Sequence, residues 1–374
     1  MSAVAAFLRS WFSEPPPPFE LREASTRWSR GRPRQTRLAL RVTEVIAETP
    51  STRTFVLAGP DGLAAPLSYR AGQHLTLLVD AGGTTHRRCY SFSTSPLAAG
   101  PAAITVKRLA NGLVSRHLHD RVSAGDTLTA LVPTGEFTLE TDPAASRHVV
   151  MVAGGVGITP LVSLAETVLR AEPASRITLL TGNRCEDEII FRGRLDTLAT
   201  QFGPRLVVRH SLHDAPAGWT GLSGVLDGPQ VLRAVGNDPA DIWFVCGPEP
   251  MMQSVCESLA AAGVPRERIR TERFAYASAS ATRIPEHAAE LHFARSGRRV
   301  TARAGQTLLQ AGLEAGIDLP SSCTMGGCGA CKVRKLEGRV VMSEPNCLSE
   351  AEREAGYVLA CCAYADTNVV LEGH

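Results

Sequence analysis

The stretch Pro320-Ser-Ser-Cys323-Thr-Met-Gly-Gly-Cys328-Gly-Ala-Cys331 carries three thiols on one short loop, and a fourth at Cys361 completes the spacing C-x4-C-x2-C-x29-C. Thiolates select soft metals, and four of them at this spacing suit a pair of irons once the loop turns tightly enough to gather three sulfurs. Gly326, Gly327 and Gly329 permit such a backbone and let amides approach sulfur closely. Zinc is the alternative, but structural zinc usually draws its ligands from two short C-x2-4-C knuckles, whereas Cys361 is isolated on what reads as a strand over 357–360. Cys362 adjoins it. Successive strand residues point to opposite faces, so only one of the two can face a metal, and Cys361 is the choice. Cys347 lies outside the spacing, just before a helix expected at Ser349, and reads as structural.

Working outward, residues 291–294 and 299–302 read as strands and 307–315 as a helix, with a Ser, Ala and Thr-rich linker at 276–283 before them. The loop ending at Cys331, together with Gly356-Tyr-Val-Leu-Ala-Cys361, resembles the cluster loop and final-ligand strand of plant-type ferredoxins. That resemblance implies a β-grasp fold with a [2Fe–2S] cluster on Cys323, Cys328, Cys331 and Cys361. The chain departs from the family at Thr324, where a basic residue is common, and at Cys362, where glutamine is common.

From residue 148 to 262 strands and helices alternate: strands at 148–153, 177–181, 206–210 and 242–246, helices at 159–170, 186–200 and 250–262. Alternation of this kind builds a parallel sheet wrapped by helices. Three strand ends carry loops suited to a dinucleotide: Ala153-Gly-Gly-Val-Gly-Ile-Thr-Pro160, Thr181-Gly-Asn-Arg184 and Cys246-Gly-Pro-Glu-Pro-Met-Met252. The first lacks the third glycine of the usual fingerprint, and each of the three alone could be purely structural. Upstream, β-type runs at 38–45, 54–57, 74–79, 104–109 and 127–131 suggest an antiparallel barrel. That region holds Arg88-Cys-Tyr-Ser91, then Phe92-Ser93-Thr-Ser95, and later Lys107 and Gly112-Leu-Val114-Ser115. An arginine can pair with pyrophosphate and a tyrosine can pack on an aromatic ring system, although a half-buried strand would also carry these residues.

Together these segments resemble the ferredoxin–NADP reductase superfamily. The resemblance implies FAD, with FMN as the alternative, held by Arg88, Tyr90, Ser91, Ser93, Lys107, Gly112, Val114 and Ser115. It implies NADPH or NADH bound by Gly155, Gly157, Thr159 and Pro160 at the pyrophosphate, by Arg184 at the adenosine end, and by Cys246, Gly247 and Pro248 at the nicotinamide. Phe274 and Glu272 would close over the flavin, and Tyr90, Ser91, Cys246 and Glu272 would surround the reacting centre.

A chain of 374 residues with 44% hydrophobic content divides into several domains, here 37–142 (flavin barrel), 143–277 (nucleotide domain), a linker at 278–287, and 288–374 (ferredoxin). Residues 1–36 form an extension in which Val4, Phe7, Leu8, Trp11 and Phe12 fall on one helical face before Pro15 to Pro18. The arginines that follow, from Arg22 to Arg37, suit a solvated linker or a peripheral contact with a lipid surface. A net charge of +2 implies no nucleic-acid partner, no apolar run is long enough to span a bilayer, and the cysteine pattern fits a reducing cytoplasm. The domain order is similar to that of reductases serving epoxidases, Rieske-type oxygenases, hydroxylases and membrane desaturases. It implies that electrons received in pairs as hydride leave singly for a separate acceptor protein. A non-enzymatic iron–sulfur carrier or redox sensor is the alternative.

Overall fold

The computed structural model describes residues 36–59, 67–81, 83–274, 283–324, 326–344, 346–348 and 350–372. The helix expected at 4–12, the arginines from Arg22 to Arg34, most of the linker and Ser349 lie outside them.

The first sheet contains β1 (Arg37–Thr49), β2 (Thr52–Ala58), β3 (His74–Ala81), β4 (Thr84–Ser91), β5 (Ala102–Lys107) and β6 (Thr127–Leu131), with helix α1 (Leu113–Arg121) between the last two. Their order is β4-β3-β6-β1-β2-β5, and an antiparallel bridge between Phe92 and Ile104 joins the two ends, closing a barrel. Val42, Phe55, Leu75, Leu77, Ile104 and Val106 fill it, and Val114 and Leu118 of α1 pack against them. Inward-facing residues of β3 are apolar, as alternation requires, yet its outward-facing His74 and Thr76 are buried too. Other parts of the chain cover that face. β4 does not stand out as a run in the sequence because its residues, Thr-Thr-His-Arg-Arg-Cys-Tyr-Ser, show no apolar alternation.

The second sheet is wholly parallel: β7 (His148–Gly154), β8 (Arg176–Asn183), β9 (Leu206–Leu212), β10 (Leu222–Ser223), β11 (Ile242–Cys246) and β12 (Ile269–Glu272), in the order β10-β9-β8-β7-β11-β12. Helices α2 (Ile158–Ala171) and α3 (Arg192–Phe202) cover one face, while α4 (Gly228–Val235) and α5 (Glu249–Ala261) cover the other. A strand buried on both faces reads as a continuous apolar run, and that is why β7 and β11 are plain in the sequence.

One expected element is corrected. Instead of a helix over 186–200, the chain makes a single tight turn, Glu186–Glu188, and then breaks at Phe191, whose φ of 62° is left-handed. That conformation costs about 1–2 kcal/mol, which burial of the ring in the core offsets.

The third sheet mixes parallel and antiparallel pairs. It runs β14 (Arg298–Ala302), β13 (Ala289–Phe293), β19 (Val369–Leu371), β15 (Lys332–Glu337) and β17 (Tyr357–Leu359), beside a ribbon of β16 (Val340–Met342) and β18 (Ala363–Ala365). Helix α6 (Leu308–Glu314) opens on a capping box formed by Thr307 and Gln310, and lays Leu308, Leu309 and Ala311 on the core beside Leu291 and Phe293, as in a β-grasp. A short helix, α7 (Glu350–Glu354), precedes β17. The cysteine loop connects α6 to β15, and Cys361 follows β17. Among the described residues no helix is long and apolar enough to cross a membrane.

Candidate functional site

Ligands of an open parallel sheet gather at the carboxyl ends of strands, where the strand order reverses. That reversal lies between β7 and β11, because β8 and β9 continue to one side and β12 to the other. The loops after β7 and β11 are the Gly154-Gly-Val-Gly157 and Cys246-Gly-Pro248 segments, and their backbones interlock. A Cβ on Gly157 would overlap the Cys246 carbonyl, and one on Gly247 would lie 2.8 Å from the Gly154 nitrogen. These glycines therefore set the distance between the two loops. Gly155 supplies the turn itself at φ 49°. Thr159 is buried and donates its hydroxyl to the Val156 carbonyl at 3.0 Å, tying the loop to α2, whose first turn accommodates Pro160.

Asp227 caps α4 and Thr307 caps α6 through side-chain hydrogen bonds, whereas α1, α2, α3 and α5 have no such cap. Three of these four uncapped starts follow Gly112, Gly157 and Pro248, the positions at which the sequence motifs place flavin, pyrophosphate and nicotinamide; that of α3 follows Phe191. Open amide donors at a helix N-terminus are what an anionic cofactor requires, so the residues present fit one. Ser115 shapes the α1 start by accepting from the Leu109 amide at 3.1 Å and donating to the Gly112 carbonyl at 3.2 Å. Lys107 and Arg184 both pair with Glu188, at 3.2 and 3.6 Å, which links barrel to nucleotide domain.

At the centre stands Glu272, beside Cys246 in the β11–β12 register. Its carboxylate accepts from the Ser91 hydroxyl at 3.4 Å and lies 4.0 Å from the His74 ring. Burial pushes the Glu272 carboxyl up to about 7, and burial holds the Cys246 thiol far above its usual range, so that thiol stays neutral. A carboxyl that binds its proton more tightly folded than unfolded costs stability as pH rises from 4.5 towards 7, here on the order of 3 kcal/mol. His74 is raised as well, its burial outweighed by the Cys328 sulfur and the Glu272 charge beside it. Glu272→Gln removes the carboxyl's contribution. Urea denaturation of the variant is expected to show a stability gain over the native chain that grows from pH 5 to pH 8. A gain that is flat with pH would contradict the assignment.

The four cysteines of the late spacing form two pairs. Cys323 contacts Cys328, and Cys331 contacts Cys361, all within hydrogen-bonding reach. Amides point at these sulfurs: Cys323 N–H to Cys328 Sγ at 3.5 Å and Gly326 N–H to Cys361 Sγ at 3.2 Å. Two sulfur pairs with amide donors match two irons sharing bridging sulfides and do not match one tetrahedral zinc, so the donor set fits a [2Fe–2S] cluster. Thr324, at φ 58°, takes a left-handed turn usually left to glycine. The Cys362 thiol lies behind Gly326 and within hydrogen-bonding reach of the Cys361 thiol, on the outside of that set, while Cys347 hydrogen-bonds the Gly326 carbonyl through its amide at 2.9 Å.

Redox and cluster segments meet in one pocket, lined by Ser91 and Glu272, by Phe274, and by Cys323 and Cys328. Two further residues in it, His74 and Cys89, do not stand out in the sequence. Cys89 fills the unspecified position of Arg88-x-Tyr-Ser, and His74 belongs to no motif. On β4, Arg88 and Tyr90 face the barrel side while Cys89 and Ser91 face the pocket. Ser93 does not line it: with Phe92 in the barrel core, alternation places Ser93 on the outer face, where its buried hydroxyl pairs with Thr105 at 2.8 Å.

Family models match three segments: an oxidoreductase FAD-binding domain at 39–139, an oxidoreductase NAD-binding domain at 151–257 and a 2Fe-2S iron–sulfur cluster binding domain at 291–366. Among curated proteins, the ferredoxin reductase component of 3-ketosteroid-9-alpha-monooxygenase from Rhodococcus rhodochrous is 33% identical over 87% of this chain and 93% of its own. One subunit of the 1,2-phenylacetyl-CoA epoxidase of Escherichia coli K12 is 32% identical over 89% and 96%. Among solved structures, phthalate dioxygenase reductase superposes with TM-score 0.59 and 25% identity over 90% of this chain and 97% of that one. An intact type IV self-sufficient cytochrome P450 monooxygenase superposes with TM-score 0.66 and 27% identity over 90% of this chain, which spans 41% of that protein. With the order of domains, the paired thiols and full-length relatives in agreement, the chain belongs to the ferredoxin–NADP reductase superfamily, among its oxygenase-type reductase components with a C-terminal plant-type [2Fe–2S] domain.

Proposed function

We propose that this oxidoreductase takes hydride from NADH or NADPH and delivers electrons one at a time to a separate oxygenase, hydroxylase or desaturase component. The observation that carries this reading is the shared pocket in which Ser91, Glu272 and Phe274 stand beside Cys323 and Cys328, so that the hydride-accepting centre and the cluster loop adjoin. The relatives, a reductase component of a ketosteroid monooxygenase and a subunit of an epoxidase, support a protein acceptor without choosing its substrate.

In this reading Arg88, Tyr90, Ser91, Lys107, Gly112, Val114 and Ser115 hold FAD. The loops through Gly155, Gly157, Thr159 and Pro160, with Arg184, hold the dinucleotide, and Cys323, Cys328, Cys331 and Cys361 hold the cluster. The bound flavin supplies the conversion between a two-electron donor and a one-electron cluster. Cys246 contributes a neutral, compact wall at the nicotinamide end next to Gly247 and Pro248. Glu272, whose carboxyl burial raises to about 7, accepts the Ser91 hydroxyl and can hold a proton at the site near neutral pH, and Phe274 lines the same pocket. Residues 1–36 would serve at most as a peripheral contact at the inner face of a membrane. Deleting them is expected to reduce vesicle association without changing flavin content.

The test is an anaerobic visible titration of the reconstituted protein with NADPH and, on a fresh sample, NADH. Bleaching of both flavin and cluster bands supports the reading and names the donor. Cluster absorbance without flavin, inert to both nucleotides, would make the chain a carrier or sensor instead.

A further inference from the structure

The face of β3 and β4 turned away from the barrel core carries two successive rungs, His74 with Ser91 and Thr76 with Cys89, spaced about 7 Å apart along the strands. The first rung meets Glu272. The second meets the cluster loop: the Thr76 hydroxyl contacts the Ser322 hydroxyl, and Cys89 Sγ lies 3.2 Å from Thr76 Oγ1 and 3.9 Å from Ser322 Oγ. A ring nitrogen of His74, Cys89 Sγ and Cys328 Sγ all lie within 4.8 Å of one another. Cys89 also hydrogen-bonds both Cys323 and Cys328, and His74 hydrogen-bonds Cys328. Thus the flavin barrel, not the ferredoxin domain, supplies two polar side chains to the sulfurs of one ligand pair.

A thiolate bound to iron carries no proton, so in the loaded protein the hydrogen of each contact must come from the barrel side, from the Cys89 S–H or the His74 N–H. We propose that Cys89 and His74 are hydrogen-bond donors to the ligand sulfurs of Cys323 and Cys328, and that they raise the cluster's reduction potential by virtue of the ferredoxin domain's seat on the barrel. Donors to sulfur stabilise the more negative, reduced cluster more than the oxidised one, and the amides of the loop itself do this regardless of docking. The two side chains add a contribution that exists only in the docked arrangement. They bias the electron towards the cluster at the point where it leaves the flavin. They act as positioning and tuning residues, since neither is among the four ligands.

This rests on the flavin-to-cluster reading, but its test needs neither nucleotide nor acceptor. Holoprotein is titrated with dithionite, the cluster followed by EPR and the flavin by absorbance. Cys89→Ala and His74→Asn are each expected to lower the cluster midpoint, and the double variant to lower it further, at unchanged iron content per chain. Cys89→Ser keeps a donor and is expected to fall between Cys89→Ala and the native protein. Native midpoints in both single variants would overturn the proposal. So would a flavin shift in Cys89→Ala as large as the cluster shift, which would mark a general disturbance. Loss of the cluster in Cys89→Ala would also overturn it, by making Cys89 a ligand or a structural group.

Discussion

Replacing Cys361 by serine is expected to abolish electron delivery to a one-electron protein acceptor while leaving hydride uptake by the flavin intact. Cys361 pairs with Cys331 and receives the Gly326 amide, so its loss removes one of the two thiolates that one iron would have. Loss of an outer-shell partner alone typically costs ~10–100-fold in metal affinity, and loss of a direct ligand costs more. Cytochrome c reduction should therefore drop by more than about 100-fold and the cluster's visible bands should vanish, whereas ferricyanide, which can accept from the flavin, should still be reduced. Cys362→Ser is the internal control. Its sulfur sits behind Gly326, and the variant is expected to keep its cluster. The reverse pattern, with the cluster lost from Cys362→Ser and kept in Cys361→Ser, would move the ligand from one neighbour to the other.

Gly157→Ala is expected to disable the nucleotide site with flavin and cluster still in place. A Cβ at this position would overlap the carbonyl of Cys246, and the obstacle is backbone at the end of a central strand, which cannot rotate away. Overpacking of this kind costs about 1–3 kcal/mol, and the loops on the two sides of the strand-order reversal would be forced apart. A misplacement of about 1 Å at a reacting centre costs on the order of 100-fold, so kcat/KM for the dinucleotide should fall by about that factor. The readout is stopped-flow bleaching of the flavin band by NADH and NADPH, with dithionite reduction as proof that both redox groups remain. Gly193, in α3, faces open space, and Gly193→Ala should leave the rate unchanged while adding some helix stability. Equal rates in Gly157→Ala and the native chain would mean that the two loops do not together form the site.

Elements buried on both faces, such as β7 and β11, are legible because a continuous apolar run this short, closed by glycine, rarely arises anywhere but in a strand sandwiched between helices. Strands largely in solvent are not: β12, at a sheet edge, is Ile-Arg-Thr-Glu, and β15, between β19 and β17, is Lys-Val-Arg-Lys-Leu-Glu with Val333 its one buried residue, so neither carries a periodic signal. The helix expected over 186–200 fails for a related reason: the pattern there is helical, but the Phe191 ring is worth more in the core than one continuous helix is. Ser93 is named as a flavin contact by the resemblance alone; the phase of β-alternation past Phe92, which only the closed barrel sets, brings its hydroxyl to Thr105 on the barrel's outer face.

The sequence by itself determined the chemistry that depends on short spacing: which thiols can share a cluster, which glycines make phosphate-sized loops, and that a barrel, a parallel sheet and a ferredoxin follow one another. Such features are local, because a loop of a dozen residues must satisfy its own backbone geometry wherever the fold puts it. Only the tertiary structure decided that Ser91 meets Glu272 across 181 residues and that Thr76 meets Ser322 across 246. Those contacts arise from the packing of three separate cores. No pattern within any one segment encodes which face of β3 and β4 the cluster loop will cover, and so His74 and Cys89 became visible only where the domains touch.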